Sequence, residues 1–201
     1  MDTSHLFPTL RRLLLGLLTG AAALAPAMAT EAADPPGRVG RLAVIDGPVS
    51  VLDTEQRDWR SADPEHDRTR PLTEGDRLAT GPRGRAELRI GSTVLRLGER
   101  SELELARLDD ERLVLRVHRG SLALRVATAD LAEEIELVTG EARMAPARAG
   151  LYRVDRRLDG ERDRTLVHTW RGLLRVDGGP AVDAGERLLL WREGARLRQE
   201  A

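Results

Sequence analysis

The residues of this chain that could perform acid–base or metal chemistry are few and scattered. Its four histidines are His5, His66, His118 and His168, and none lies at ligand spacing from another. A zinc site needs several such side chains together, as in the H-E-x-x-H pattern on a helix. We therefore expect no metal and no catalytic role for them. The alternation around His118 predicts a surface side chain, and that around His168 predicts a buried, hydrogen-bonded one.

The carboxylates also give no sign of catalysis. The acidic run 109–111 has the composition of a turn, and Asp155, Asp159 and Asp163 lack the ligand spacing of a calcium loop. The sequence identifies no pair of carboxylates for glycoside hydrolysis, and it has no nucleophile elbow, phosphate loop or dinucleotide fingerprint. There is no cysteine, which excludes thiol chemistry. We expect no catalytic residue, no metal and no cofactor; an enzyme is the less favoured alternative.

Aromatic residues are too dispersed for an extended stacking platform. Tyr152, Trp170 and Trp191 lie in predicted strands and are expected in the core or at its edge. Trp59 lies in a polar segment, where we expect it to cap the core; if it is exposed, it is the candidate partner contact. The slightly acidic balance argues against a nucleic-acid partner.

Every one of the 32 basic residues is arginine, against 33 acidic residues. Arginine favours two-pronged contacts with carboxylate or phosphate groups. The arginines are spread singly along the predicted strands, so we interpret the excess as a bias of composition.

A two-residue alternation of apolar and polar side chains fills residues 85–127. This period predicts half-buried strands, and several at close spacing indicate an all-β domain. A helix is the alternative, because leucine, arginine, glutamate and alanine favour helices. The leucine pairs at 103/105, 113/115 and 122/124 cannot share a helix face. The apolar phase consists of Ala86, Leu88, Ile90, Leu95, Leu97, Leu103, Leu105, Leu113, Leu115, Val117, Leu122, Leu124 and Val126.

The first 29 residues have the features of an export signal. Arg11 and Arg12 precede the apolar stretch Leu13–Ala25, and small residues at 27 and 29 give the pattern that signal peptidase accepts. We predict cleavage between Ala29 and Thr30. The stretch is shorter than the roughly 20 residues of a membrane-spanning helix, although an uncleaved anchor is an open alternative. The match to a twin-arginine signal is weak, so we expect ordinary export to the periplasm or beyond.

The remaining chain divides by composition. Residues 30–37 form a flexible lead-in, residues 38–192 the β domain and residues 193–201 a C-terminal tail. Within the domain, residues 38–46 and 49–53 are expected to form a strand pair that turns at Gly47-Pro48, and residues 54–71 a polar loop. Residues 127–133 could form one helical turn.

Six short motifs, in order, resemble the pattern of FecR-like domains. The segment PLTEGDRLAT at 71–80 resembles the opening L-x-x-G-D-x-L-x-T of that family. The strand into a Gly-Ser turn at 86–92 and the element at 114–122 are similar to those that follow it. Later matches lie at 150–154, 170–176 and 182–186. The resemblance covers roughly residues 38–191 and rests on order and spacing.

The resemblance implies a periplasmic, solenoid-like or β-roll domain, with a β-sandwich as the alternative. In that family the domain transfers signals from outer-membrane receptors to anti-sigma regulation. This sequence departs from full regulators, because it has no cytoplasmic helical region before an internal transmembrane helix. We expect a non-catalytic exported domain that binds or senses an envelope protein through edge strands and loops. The alternative is a glycan-binding module that uses Trp59 and its loop.

Overall fold

The computed structural model describes residues 37–53, 58–158, 160 and 162–201. They form sixteen strands and the helix α1 (Ala129–Glu134), which confirms the all-β class. The strands are β1 (Gly40–Asp46), β2 (Val49–Asp53), β3 (Asp58–Ser61), β4 (Arg77–Thr80), β5 (Arg85–Ile90), β6 (Thr93–Leu97), β7 (Glu102–Leu108), β8 (Leu113–Val126), β9 (Ile135–Val138), β10 (Arg143–Pro146), β11 (Gly150–Arg157), β12 (Arg164–Arg171), β13 (Leu173–Val176), β14 (Val182–Asp183), β15 (Arg187–Glu193) and β16 (Arg196–Glu200). The predicted export signal and its cleavage site lie outside the described residues.

The strands form one hydrogen-bonded sheet that is continuous through β8. Sheet A has the order β1-β5-β6-β8-β11-β12-β15-β16 and uses the C-terminal half of β8. Sheet B has the order β3-β2-β4-β7-β8-β9-β10-β13-β14 and uses its N-terminal half. Pairing among the described strands is antiparallel except between β8 and β9. The arrangement is therefore a sheet that folds over at one shared strand.

One hydrophobic cluster contains inward-facing residues of both sheets. All thirteen residues of the predicted apolar phase are buried in it. Leu88, Ile90, Leu95, Leu113 and Leu115 have no exposed surface. Truncating a side chain of this kind to alanine costs about 2–5 kcal/mol, so the alternation holds the two sheets together.

The strand pair predicted at Gly47-Pro48 is wrong. β1 pairs with β5, whereas β2 pairs with β3 and β4, so the corner carries the chain from sheet A to sheet B. Gly47 has φ of 67° there. Pro48 excludes a type I′ hairpin turn, whose second position needs a positive φ, and its carbonyl instead accepts a hydrogen bond from the N–H of Gly81 at 2.9 Å.

The predicted orientation of β12 is also wrong. Its inward side chains are Thr165, Val167 and Thr169, so His168 is half-buried on the outer face and Trp170 is 46% exposed. Because both phases of this strand contain apolar residues, alternation could not distinguish them. The expectation of a core tyrosine is confirmed, since Tyr152 is fully buried.

Two segments without predicted strands contain them. β3 lies inside the expected polar loop 54–71, and β16 lies inside the expected tail 193–201, where it pairs with β15. Both strands are short, polar and at a sheet edge, so they lack the buried phase on which alternation depends. The predicted helical turn at 127–133 corresponds to α1, and Thr128 caps its N-terminus.

Gly120 lies where β8 leaves sheet B and enters sheet A. Its φ is 78°, in the left-handed region that glycine occupies most readily. A Cβ at this position would lie 2.4 Å from Cα of Ser101 and 2.7 Å from the carbonyl oxygen of Arg100. The bend therefore requires glycine for both its conformation and its close backbone approach.

We predict that Gly120→Ala lowers the free energy of unfolding more than Gly91→Ala does. Both glycines have positive φ, and a non-glycine residue in that region costs about 1–2 kcal/mol. Only the Cβ at position 120 would meet backbone atoms; at position 91 it would meet nothing within 4 Å. Urea unfolding of the two variants measures the difference. Equal losses would show that the bend tolerates a side chain.

Candidate functional site

Trp59 lies on β3, at one edge of sheet B. Its side chain is 40% exposed, so the expectation that it caps the core is wrong. The N–H of Ala62 donates to the carbonyl of Val49, at 2.8 Å, which fixes the parity of the β2–β3 pair. The backbone groups of Trp59 and Ser61 consequently face the open edge. Trp59 is thus an exposed aromatic residue on an edge strand.

Local side chains already contact part of this edge. The outward N–H of Trp59 donates to Oδ1 of Asp58 at 2.8 Å. Nη1 of Arg60 reaches the carbonyl of Ser61 at 3.4 Å. The outward carbonyl of Trp59 and N–H of Ser61 complete the hydrogen-bonding groups of the edge. Proteins commonly protect edge strands with charged side chains in this way.

A buried aspartate anchors the segment that follows β3. Asp67 is 2% exposed and accepts hydrogen bonds from Arg60 and from the backbone N–H of Asp63, at 2.7 Å. The guanidinium of Arg60 holds the pKa of Asp67 below its ordinary value. His66 contacts Asp63 at 2.7 Å on the surface. These bonds join the Trp59 strand to the turn that follows it.

A second charged region is a cleft of about 600 Å³ between the β9–β10 turn, β11 and β15. Glu141 in the turn is 3% exposed and pairs with Arg156 of β11 at 3.0 Å. Its Oε2 also accepts a hydrogen bond from Thr165. Arg156 donates in addition to the carbonyl of His118 on β8. Nε of Arg192 donates to the backbone carbonyl of Glu141 at 2.8 Å.

These bonds determine the chemistry of the cleft. Burial raises the pKa of Glu141, but the hydrogen bonds from Arg156 and Thr165 outweigh it, and the net pKa is below the ordinary value. A carboxylate of this kind stays ionised and has its lone pairs occupied. A general acid needs the opposite, a carboxyl group whose pKa is raised toward the working pH. The arrangement is that of a structural ion pair.

A third region is a groove of about 630 Å³ beside β1. Its lining contains four arginines, Arg38, Arg41, Arg68 and Arg89, and no acidic residue. Arg38 pairs with Glu134 at 2.8 Å. The guanidinium groups of Arg41 and Arg68 have no ion pair within the described chain. The groove is therefore a candidate site for an anionic group.

The other predicted residues do not assemble into a site. His118 lies on the outer face of β8, as predicted, and contacts Oε2 of Glu104 at 2.6 Å. His66 and His168 lie on other elements. Within the described residues there is no group of three or more histidine, aspartate or glutamate side chains that could hold a metal. No helix in the described part of the chain has the length and apolar character to cross a membrane.

Sequence reasoning missed the ion pair and the groove. Glu141 and Arg156 come from different elements with no shared pattern, and the four groove arginines come from the lead into β1, β1 itself, β5 and the 62–70 turn. The signal available was the exclusive use of arginine. Because we interpreted the arginines as a bias of composition, this signal did not indicate which of them would gather at one site.

Comparisons with known proteins bear on the fold. No family model matches the sequence, and no curated protein shows a significant match. The fold is similar to that of a proposed anti-sigma factor from Parabacteroides distasonis, with a TM-score of 0.50 and 11% sequence identity. The aligned region covers 62% of this chain and 58% of that protein's chain. At this identity, the likeness concerns the fold alone.

We predict that Glu141→Gln lowers the free energy of unfolding at pH 7 by about 3 kcal/mol, because it removes the buried carboxylate of a poorly exposed guanidinium and leaves it only the more exposed carboxylate of Asp163, at 3.3 Å. The lowered pKa means that the stabilising effect of Glu141 is complete above its ordinary pKa of 4.5 and is lost as pH falls through the folded-state value. The difference from the wild type should therefore shrink at pH 3. Urea unfolding at both pH values measures it.

The matched control is Glu136→Gln, which breaks the exposed pair with Arg143. Such a surface pair contributes about 0–1 kcal/mol, so this variant should remain close to the wild type. Equal losses in the two variants would contradict a special role for the buried pair.

Proposed function

We propose that this protein is a non-catalytic, exported binding module that senses or relays an envelope signal by contacting another protein. The observation that carries the proposal is the exposed side chain of Trp59 on the edge strand β3. Tryptophan is among the residues most enriched at the energetic centre of protein interfaces. An edge strand also offers a partner strand backbone groups to pair with.

The geometry of the edge supports a strand-like contact of limited length. The carbonyl of Trp59 and the N–H of Ser61 face outward. The N–H of Trp59 also faces outward, but it already donates to the carboxylate of Asp58. A partner strand can form two backbone hydrogen bonds with this edge and can pack against the tryptophan ring. Affinity then comes mainly from the side chain, and specificity from the partner's fit around it.

The similarity of fold to a proposed anti-sigma factor supports a regulatory role. The motif order that resembles FecR-like domains points in the same direction. The apolar stretch at 13–25 and the small residues before Thr30 support export to the periplasm. The occupied, ionised carboxylate of Glu141 supports a role other than catalysis.

Trp59→Ala should weaken capture of the protein partner by about tenfold or more, with little effect on stability. A central aromatic contact typically accounts for 2 kcal/mol or more of binding, whereas an exposed side chain contributes little to folding. The measurement is site-specific photo-crosslinking in intact cells, with the photoreactive residue at the exposed position 61 of the same strand, compared between the wild type and Trp59→Ala. We expect one defined protein adduct.

Position 158 provides the control, because Leu158 is 51% exposed and lies away from β3. A photoreactive residue there should not give the same adduct. If position 61 gives no protein adduct, and glycan fragments shift the fluorescence of the wild type but not of Trp59→Phe, the protein is a glycan-binding module instead.

A further inference from the structure

The outward-facing charges of the two sheets are balanced differently. On sheet B, three glutamates lie among the arginines. Glu104 contacts Arg77 at 3.0 Å and Arg116 at 2.9 Å, and Glu102 and Glu136 also pair with arginines. Burial raises the pKa of Glu104, but the hydrogen bond with His118 and the charges of Arg116 and Arg77 outweigh it and hold the pKa below its ordinary value. Sheet B therefore neutralises much of its own outer face.

On sheet A, the register aligns arginines in a line that crosses the strands. The residues paired in succession from β1 to β12 are Arg41, Arg89, Val94, Arg125, Leu151 and Arg171. We call its four arginines the basic row. Each is exposed, and the valine and leucine between them are half-buried. At about 4.8 Å per strand, the basic row spans roughly 24 Å.

The basic row has little acidic compensation. Arg89 shares the carboxylate of Glu87, at 2.9 Å, with Arg96. The side chains of Arg41, Arg125 and Arg171 make no ion pair within the described residues. Arginines one or two strands apart along the row repel one another, and the charges of three of them are not neutralised by a carboxylate of the described chain, so the row gains free energy when an anionic partner covers it.

Features at both ends of the basic row suit a partner. At the β1 end, Arg41 and Arg89 line the groove together with Arg38 and Arg68. At the β12 end, the ring of Trp170 is exposed beside Arg171, with its centroid 5.4 Å from that of His168. Arginine and tryptophan together are the residues most typical of interface centres.

We propose that the basic row and its groove bind an acidic, amphipathic segment of a partner protein. The inference rests on the proposed binding role but uses the outer face of sheet A together with Arg68 of the 62–70 turn, and none of the exposed groups of the Trp59 edge. Arg89, Arg125 and Arg171 recur every second strand, about 10 Å apart, with an aliphatic side chain between each pair. Seven residues of α-helix rise about 10.5 Å. A helix with carboxylates every seven residues and leucines midway between them matches this spacing.

The aliphatic positions distinguish a protein partner from other polyanions. Val94 and Leu151 alternate with the arginines and are half-buried. A nucleic-acid backbone or a layer of phosphate headgroups offers these side chains no apolar group. A helix carrying both carboxylates and leucines satisfies both kinds of position at once.

The test uses the purified full chain and a synthetic 18-residue helical peptide with glutamates at positions 1, 8 and 15 and leucines at 4 and 11. We expect Arg125→Gln with Arg171→Gln to weaken binding by about tenfold or more. The wild-type protein should bind a peptide of the same composition, with these residues at other positions, at least as weakly as the double variant binds the designed peptide. Binding should also weaken with salt, because the contacts are between exposed charges.

The control variant is Arg157→Gln with Arg164→Gln, which removes two exposed, register-paired arginines from the other ends of β11 and β12. It should bind the peptide within twofold of the wild type, as should Trp59→Ala. Absence of peptide binding, or an equal loss in the control variant, would overturn the inference while leaving the Trp59 contact standing. Equal or tighter binding to anionic vesicles or oligodeoxythymidine, lost in the same double variant, would replace a protein partner with a membrane or a nucleic acid.

Discussion

The fold depends on one strand, β8, that belongs to both sheets. Among the described strands, four runs of paired strands meet at β8, because its first half pairs with β7 and β9 and its second half with β6 and β11. The left-handed conformation of Gly120 therefore sets how the sheets meet. Arg156 pairs in register with Gly120 and donates to the carbonyl of His118, so the buried ion pair with Glu141 is anchored at the same bend.

Alternation predicted which side chains form the core but not which strands pair. The apolar phase of residues 85–127 is buried without exception, because a period of two fixes the face of each residue locally. Partner choice is non-local, so the crossover at Gly47-Pro48 was predicted as a hairpin. The inverted phase of β12 has another cause, since Thr165 and Thr169 occupy inward positions. The basic row exists only through register, which single-sequence patterns do not contain.

The two candidate contacts lie on different parts of the molecule. Trp59 projects from the edge of sheet B, whereas the basic row crosses the outer face of sheet A. One contact uses an aromatic side chain and backbone groups, and the other uses charge and spacing. Two partners could therefore be held at once without competing for the same residues. A relay of signals requires that property, since it links one binding event to another.

The carboxylate of Asp58 beside Trp59 has a consequence for self-association. A strand that pairs along the whole edge, whether from a second copy or from another protein, must release the Trp59 N–H from that carboxylate, which weakens such pairing. A partner that contacts the ring, the Trp59 carbonyl and the Ser61 N–H leaves that hydrogen bond in place. The edge thus opposes extended strand-to-strand assembly while the tryptophan side chain stays accessible.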